Sequence, residues 1–438
     1  MTGRARRVRR AGALAVATAV GVAGMTLASS PASADEVDDQ LREALGDEVT
    51  AFEVVELDVA ALASSLAEGK GTLPVVSAQG ELFDVTLPAQ PARLREEGVT
   101  TGLLRTRRGV SEVPLPAEQA YRLGDCPDGD ACATATILDD AATMVSGLVV
   151  TADHELSYYE PVNQLLETDR YPGLHVVYSD ANTLDLVIDE TAMRDREPEI
   201  EPQDPEDPGT GLDEPKYIAR STRIVLDGDR TFFNISPATV WSRQLAIFND
   251  FTFLYEFIEP LSFENPETVR WSLDLTVKGQ EVWVSGGPST TNPNSLIAEL
   301  TAPGYWLLNP VTDDEIHLFF VGYDVNNVFG QAAGIGTAAG GIGGGAGMNH
   351  VFVEARTSQT AKTKWVVSAH EVGHLIGGTH AAGSANSCSN LWLIFVTIPI
   401  CGVSIMAAGG AGAPDGRAAY FTDANDANIG RVIEAALP

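Results

Sequence analysis

Eleven residues, His370-Glu371-Val372-Gly373-His374-Leu375-Ile376-Gly377-Gly378-Thr379-His380, set the tightest local constraint in this chain. Residues four apart share a helix face, so His370 and His374 can offer two imidazoles to one cation if this run is helical. The segment before it, Thr360 to Ala369, is apolar on one side and predicts a helix starting at Thr360. Gly377 can adopt φ > 0, which ends a helix and turns the chain back. His380 can then supply a third nitrogen. Three protein ligands leave a fourth position for water, the open geometry of a catalytic zinc rather than a closed structural site. Glu371 neighbours the first ligand but points elsewhere, so its carboxylate can reach that water and act as its base. The first five residues alone are moderately informative; the later glycine and histidine at their spacings make chance improbable. Three of the chain's seven histidines lie in this run.

The rest of the sequence sets the context. The first 34 residues begin with Arg4, Arg6, Arg7, Arg9 and Arg10, continue through an apolar run from Ala11 to Ala28, and close on Pro31-Ala32-Ser33-Ala34. This is the pattern of a cleaved signal peptide rather than a membrane anchor, and it predicts a secreted, extracellular protein. The arginine pairs alone do not decide the export route. Four cysteines, in the local couples Cys126 with Cys132 and Cys388 with Cys401, fit an oxidising compartment. Three connectivities exist, and closeness in sequence favours two short disulfides.

Charge then divides the chain. The formal net charge is −32, from 60 acidic and 28 basic side chains. Such a surface repels phosphate backbones and anionic lipid, which excludes nucleic-acid and membrane-surface partners. Residues 35–215 hold 40 of the acids and only 11 bases, whereas residues 216–438 hold 20 and 12. Between these regions, residues 194–215 (RDREPEIEPQDPEDPGTGLDEP) lack apolar periodicity and read as an extended linker, exposed to proteases. Residues 36–68 read as helical. From Leu73 to Tyr178, short β-rich runs predict a mostly β region with no catalytic constellation.

After the linker, Ser221 to Leu226 predicts a strand. A long helix is expected with Ser236 as N-cap and Pro237 at its first position, running to about Phe257. Trp271 to Val277, Gln280 to Val284, Ile316 to Val321 and Val351 to Glu354 read as strands. The glycine-rich stretch 332–347 reads as a mobile loop and lacks the ending of a phosphate loop.

HEVGHLIGGTH resembles the metzincin zinc-endopeptidase pattern HExxHxxGxxH, which is followed by a methionine turn. Ser404-Ile405-Met406, 26 residues after His380, looks like that turn; plain core filling is the other role open to Met406. Tyr420 to Asn425 and the helix-like Ile429 to Leu437 are similar to the closing segment of reprolysin-like (adamalysin-type) domains, and Ile316 to Phe319 resembles their central strand. The resemblance implies an α+β fold: a twisted mixed sheet with an active-site helix below a cleft, after a mostly β prodomain. It implies one catalytic Zn2+ on His370, His374 and His380, with Glu371 as general base for peptide-bond hydrolysis, and a protein or peptide substrate. An edge strand above the cleft is expected from residues 348–354 or from the glycine-rich stretch.

Residues 35–193 resemble a propeptide in position, which implies an inhibitor in cis until the linker is cut. Cys126 admits a cysteine-switch reading, while nearby Cys132 favours a small disulfide loop. Ala381 stands where many reprolysin-like sequences carry Asp, which alters local packing without removing a ligand. The apolar segment 391–408 reads as substrate-pocket wall and core, because Pro399 and the Cys401 disulfide argue against a membrane span; no stable membrane insertion is expected once the signal is removed. His317 and His350 read as structural histidines. The sequence leaves a calcium site open. Two other functions stay open: a zinc amidohydrolase acting on non-protein amides, and a secreted binding protein with a vestigial zinc site.

Overall fold

The computed structural model describes residues 34–46, 48–124, 131–151, 155–183, 216–252, 269–302, 305, 311–326, 328–378, 387–393, 396–402 and 423–437. The signal segment before residue 34, the linker 194–215, Cys126, His380, Ala381 and Met406 lie outside the described residues.

The first half runs α1 (Ala34–Leu45), β1 (Glu53–Glu56), α2 (Val59–Ala67), β2 (Lys70–Val76), β3 (Leu82–Pro91), β4 (Thr101–Thr106), β5 (Gly109–Pro114), β6 (Ala120–Gly124), β7 (Cys132–Ile137), β8 (Val145–Val150), β9 (Leu156–Pro161), α3 (Val162–Leu165) and β10 (Leu174–Ser179). The second half runs β11 (Lys216–Gly228), α4 (Arg230–Ile235), α5 (Val240–Thr252), β12 (Val269–Trp283), α6 (Pro293–Leu300), β13 (Ile316–Val321), β14 (Gly330–Ala332), β15 (His350–Glu354), α7 (Ala361–Leu375), β16 (Ser387–Leu393), β17 (Val396–Gly402) and α8 (Asp423–Ala436). Helices and sheets thus mix in an α+β chain.

An antiparallel sheet has the order β1-β10-β9-β8-β7-β6-β3-β2. Strands β7, β8 and β9 are buried along their whole length, so burial does not alternate from residue to residue along them. Both faces are covered. Leu62 and Leu66 of α2 pack against Ala133, Val149 and Tyr159 on one face. On the other, Leu148, Tyr158 and Tyr178 join one core with Trp241 and Phe248 of α5 and Trp365 of α7.

The second sheet is mixed, in the order β14-β15-β13-β11-β12-β4-β5. Strands β15, β13, β11, β12 and β4 run parallel, and β14 and β5 close the edges antiparallel. Its outermost hairpin, β4–β5, comes from the first half of the chain. Helix α5 lies between the two sheets with all thirteen residues buried. Its polar side chains therefore need partners from both: Gln244 donates to the Glu281 carbonyl at 3.0 Å, and Asn249 donates to the Thr136 hydroxyl at 3.1 Å.

The structure revises several local expectations. Residues 36–68 are two helices separated by β1, because Gly46 turns at φ +55° and the Asp58 carboxylate caps α2 through Ala61 N. Ser236 does not start the long helix. Asp229 caps the short helix α4 through Thr231 N and Phe232 N, Ser236 ends it, and α5 begins only at Val240. The two strands expected at 271–284 are one, β12, with a register shift that passes over Lys278. Strands β16 and β17 form a two-stranded antiparallel sheet in which Cys388 sits opposite Cys401. Cys132 is disulfide-bonded, and no cysteine among the described residues is free. No described helix is long and apolar enough to cross a membrane.

Buried Asp250 on α5 gives the fold a pH signature. Its carboxylate accepts from the Thr134 hydroxyl at 2.5 Å, yet burial raises its pKa from 3.8 to about 7. A raised acid contributes stability that is present below its unfolded pKa and lost as pH rises through the folded one. Asp250→Asn keeps an acceptor for Thr134 and removes this loss. The variant's melting temperature should gain on the wild type between pH 4 and pH 7 in a pH series; a constant difference would contradict the assignment.

Candidate metal centre

Thr360 starts α7 as expected: its side chain accepts from Thr363 N, and the helix runs to Leu375. His370, Glu371 and His374 lie in its last turns and are fully buried. Their helical spacing brings the two Nε2 atoms to 3.1 Å, with the rings nearly perpendicular at 87°. Two nitrogens on adjacent vertices of a tetrahedral zinc, each about 2 Å from it, stand roughly 3.3 Å apart.

The tautomer is fixed as well. His374 Nδ1 lies 2.9 Å from the Gly378 carbonyl, which can only accept, so Nδ1 carries the proton and Nε2 keeps its lone pair. The turn that makes this bond depends on Gly377, which adopts φ +104° and packs so closely on Val432 of α8 that a Cβ would meet its methyl at 2.6 Å. Two backbone bonds close the turn, from Gly377 N to His374 O and from Gly378 N to Gly373 O. The residues therefore fit a zinc ion on the two imidazoles. No group of three such donors occurs among the described residues, and His380 lies outside them.

The glycine-rich stretch is not the loose loop that its composition suggests. Gly336 N donates to the His374 carbonyl at 2.9 Å, and a Cβ on Gly336 would come within 2.2 Å of the Leu375 carbonyl oxygen. The stretch thus braces the end of α7, and small residues are needed for that approach.

Just before it, β14 forms the edge of the described sheet, pairing Gly330 with Val353 and Ala332 with Val351. Strand β15 is internal, so of the two candidates for the edge, residues 348–354 are excluded. Gly330 was not singled out in the sequence, yet a Cβ there would sit 2.9 Å from both Cγ and Oε1 of Glu371. The strand passes directly over the candidate base. Gly330→Ala should therefore displace the Glu371 carboxylate, and any turnover that depends on this base should fall about 100-fold while metal content stays unchanged. Unchanged turnover in that variant would contradict this contact.

The start of α7 is held by residues that no local pattern marks. Ala361 N donates to Glu160 Oε1 at 2.8 Å and Thr360 N donates to Glu48 at 3.1 Å, so two carboxylates meet the positive end of the helix. Burial raises the Glu48 pKa against the opposing pull of the Thr360 amide.

His317 and His350 face each other across β13 and β15, with ring centroids 5.4 Å apart. By strand alternation they lie on the face opposite Leu318 and Phe320, which pack in the core with α7. Burial holds both pKa values well below the ordinary range, so both are neutral. They take no part in the α7 site.

No protein-family model matches the sequence, and no curated protein is found similar to it. Among solved structures, metalloproteinase-II from Bacteroides fragilis aligns over 87% of this chain and 96% of its own, at 13% identity with a TM-score of 0.41. A chaperone–substrate complex aligns over 49% of this chain and 34% of its own, at 13% identity with a TM-score of 0.29.

Proposed function

We propose that this chain is a secreted zinc-dependent endopeptidase of the metzincin, reprolysin-like type, made as a precursor. The observation that carries the reading is the pair of facing Nε2 atoms of His370 and His374, 3.1 Å apart on one buried helix face, with Glu371 beside them. His380 is assigned as the third ligand from its spacing and Met406 as the methionine beneath the site, both from sequence. When bound, zinc supplies a Lewis acid and lowers the pKa of its water towards about 7.

The chain's own groups do the rest. Gly378 O orients His374, and the Gly377 turn sends the chain back towards His380. Glu371 takes a proton from the attacking water and later returns one to the leaving amine. Burial under β14 keeps bulk water from its carboxylate, and the edge of β14 offers backbone groups to an extended peptide. In this reading a cut in the linker 194–215 converts the precursor to the active form.

Cleavage of unfolded casein by the secreted chain, cut in its linker, tests this reading. Hydrolysis that stops with 1,10-phenanthroline and returns with added zinc is expected. Bound zinc with no cleavage of casein, but with turnover of small amides, would move the assignment to an amidohydrolase. Bound zinc with neither would leave a binding protein.

A further inference from the structure

A prodomain that leaves after processing should meet its enzyme across a surface that tolerates water. The junction here has the character of an interior. Segment 94–105 runs along β12: Val277 N donates to Leu94 O at 2.7 Å, Glu96 N to Val277 O at 2.9 Å, and Val284 N to Arg105 O at 2.9 Å. Strand β4 then pairs with β12 from Glu281 to Trp283, so the first half of the chain completes the sheet of the second.

Arg105 carries the electrostatic part of this junction. It is 2% exposed, forms an ion pair with buried Glu281, and stands over the rings of Trp283 and Tyr305 at 5.5 Å each. Lys362 and Lys364 on α7 reach Asp180 at 3.2 Å and Glu160 at 3.5 Å, again across the junction. Separating the halves would leave charges of both signs in apolar surroundings, on surfaces that now share one core.

The contacts also sit in an instructive place. They hold α7 at Thr360 to Lys364, and His370 lies six residues further on, about 9 Å along the helix axis. Among the described residues, the first half's polar contacts with this helix fall at its start.

We infer that residues 34–183 are a permanent half of the folded unit, and that cleavage within 194–215 yields a tight two-fragment complex from which the N-terminal piece does not leave.

The test places a site-specific protease sequence inside 194–215 of the full chain, cuts it, and follows both fragments by native size exclusion with and without dithiothreitol. Co-elution in equal amounts at the size of the uncut chain, in both buffers, is expected. Fragments that separate in native buffer, with the C-terminal piece keeping its helical circular dichroism, would overturn the inference, as would co-elution that is lost with reductant. The variant Lys362→Met/Lys364→Met should elute as wild type before cutting and shed its N-terminal fragment at a lower urea concentration afterwards; an unchanged urea profile would count against the role of these contacts. Elution is read without turnover, so this result stands apart from that of the peptidase assay.

Discussion

Replacing Glu371 by Gln should abolish phenanthroline-sensitive hydrolysis while leaving zinc binding and the fold in place. Gln is isosteric with Glu, so the packing of residue 371 against Gly330 of β14 is kept, and only the ability to take a proton is lost. General acid–base assistance contributes roughly 10²- to 10⁴-fold, and kcat/KM should fall by that amount. The metal ligands are separate side chains, so zinc content measured beside activity distinguishes a lost base from a lost site. A Glu371→Gln enzyme that turns over at the wild-type rate would remove this residue from the chemistry. Loss of zinc in the same variant would mean that Glu371 supports the site rather than serving as its base.

The largest expected effect on stability comes from Arg105→Met. Met keeps an aliphatic stem of similar volume but gives up the guanidinium that faces Glu281, stands over the rings of Trp283 and Tyr305, and draws down the pKa of Asp227. Burial already raises Asp227 to about 6, so its ionised form depends on that neighbouring cation. Breaking one side of a buried ion pair costs about 3–5 kcal/mol, whereas replacing both sides by groups of similar shape is often neutral. Urea unfolding should show a loss of that size in Arg105→Met and a partial recovery in Arg105→Met/Glu281→Gln. Equal losses in the single and double variants would show that packing, not charge, is what Arg105 provides.

The sequence made the histidine pair of α7 more legible than the fold around it. A helix that turns two side chains to one point must carry them at i and i+4, and this requirement is written into adjacent residues, from the Thr360 cap to the Gly377 turn. The continuous apolar run of β13 likewise marks a buried parallel strand without outside information. What escaped the sequence reading depends on partners distant in the chain. Glu160 meets Ala361 across 201 residues, and Arg105 lies near Tyr305 across 200. Nothing in the local pattern around Thr101 to Pro114 says that this hairpin joins a sheet otherwise built after residue 215. Gly330 was hidden for another reason: its role is to have no side chain above Glu371, and an absent Cβ leaves no hydrophobic or charge signature. The long helix starts later than its local pattern suggests because Asp229 caps a short helix first, which makes Ser236 an end rather than a beginning.

The charge contrast between residues 35–215 and 216–438 is real in composition, yet the two stretches share a core in the folded chain. Acids such as Glu48, Glu160 and Asp180 are placed against the amides and lysines at the start of α7, so part of that negative charge is structural. Composition reports how much charge a region carries; only the fold shows which charges are committed to partners.

The central claim is that the end of α7 holds a zinc ion through His370 and His374. Zinc per chain, measured by mass spectrometry on the secreted full-length protein after dialysis, tests it most directly beside His370→Ala and His374→Ala. One zinc in the wild type and less than a tenth as much in either variant, with circular dichroism unchanged, is the result this account predicts. A wild-type protein that binds no zinc, or variants that retain it in full, would contradict it.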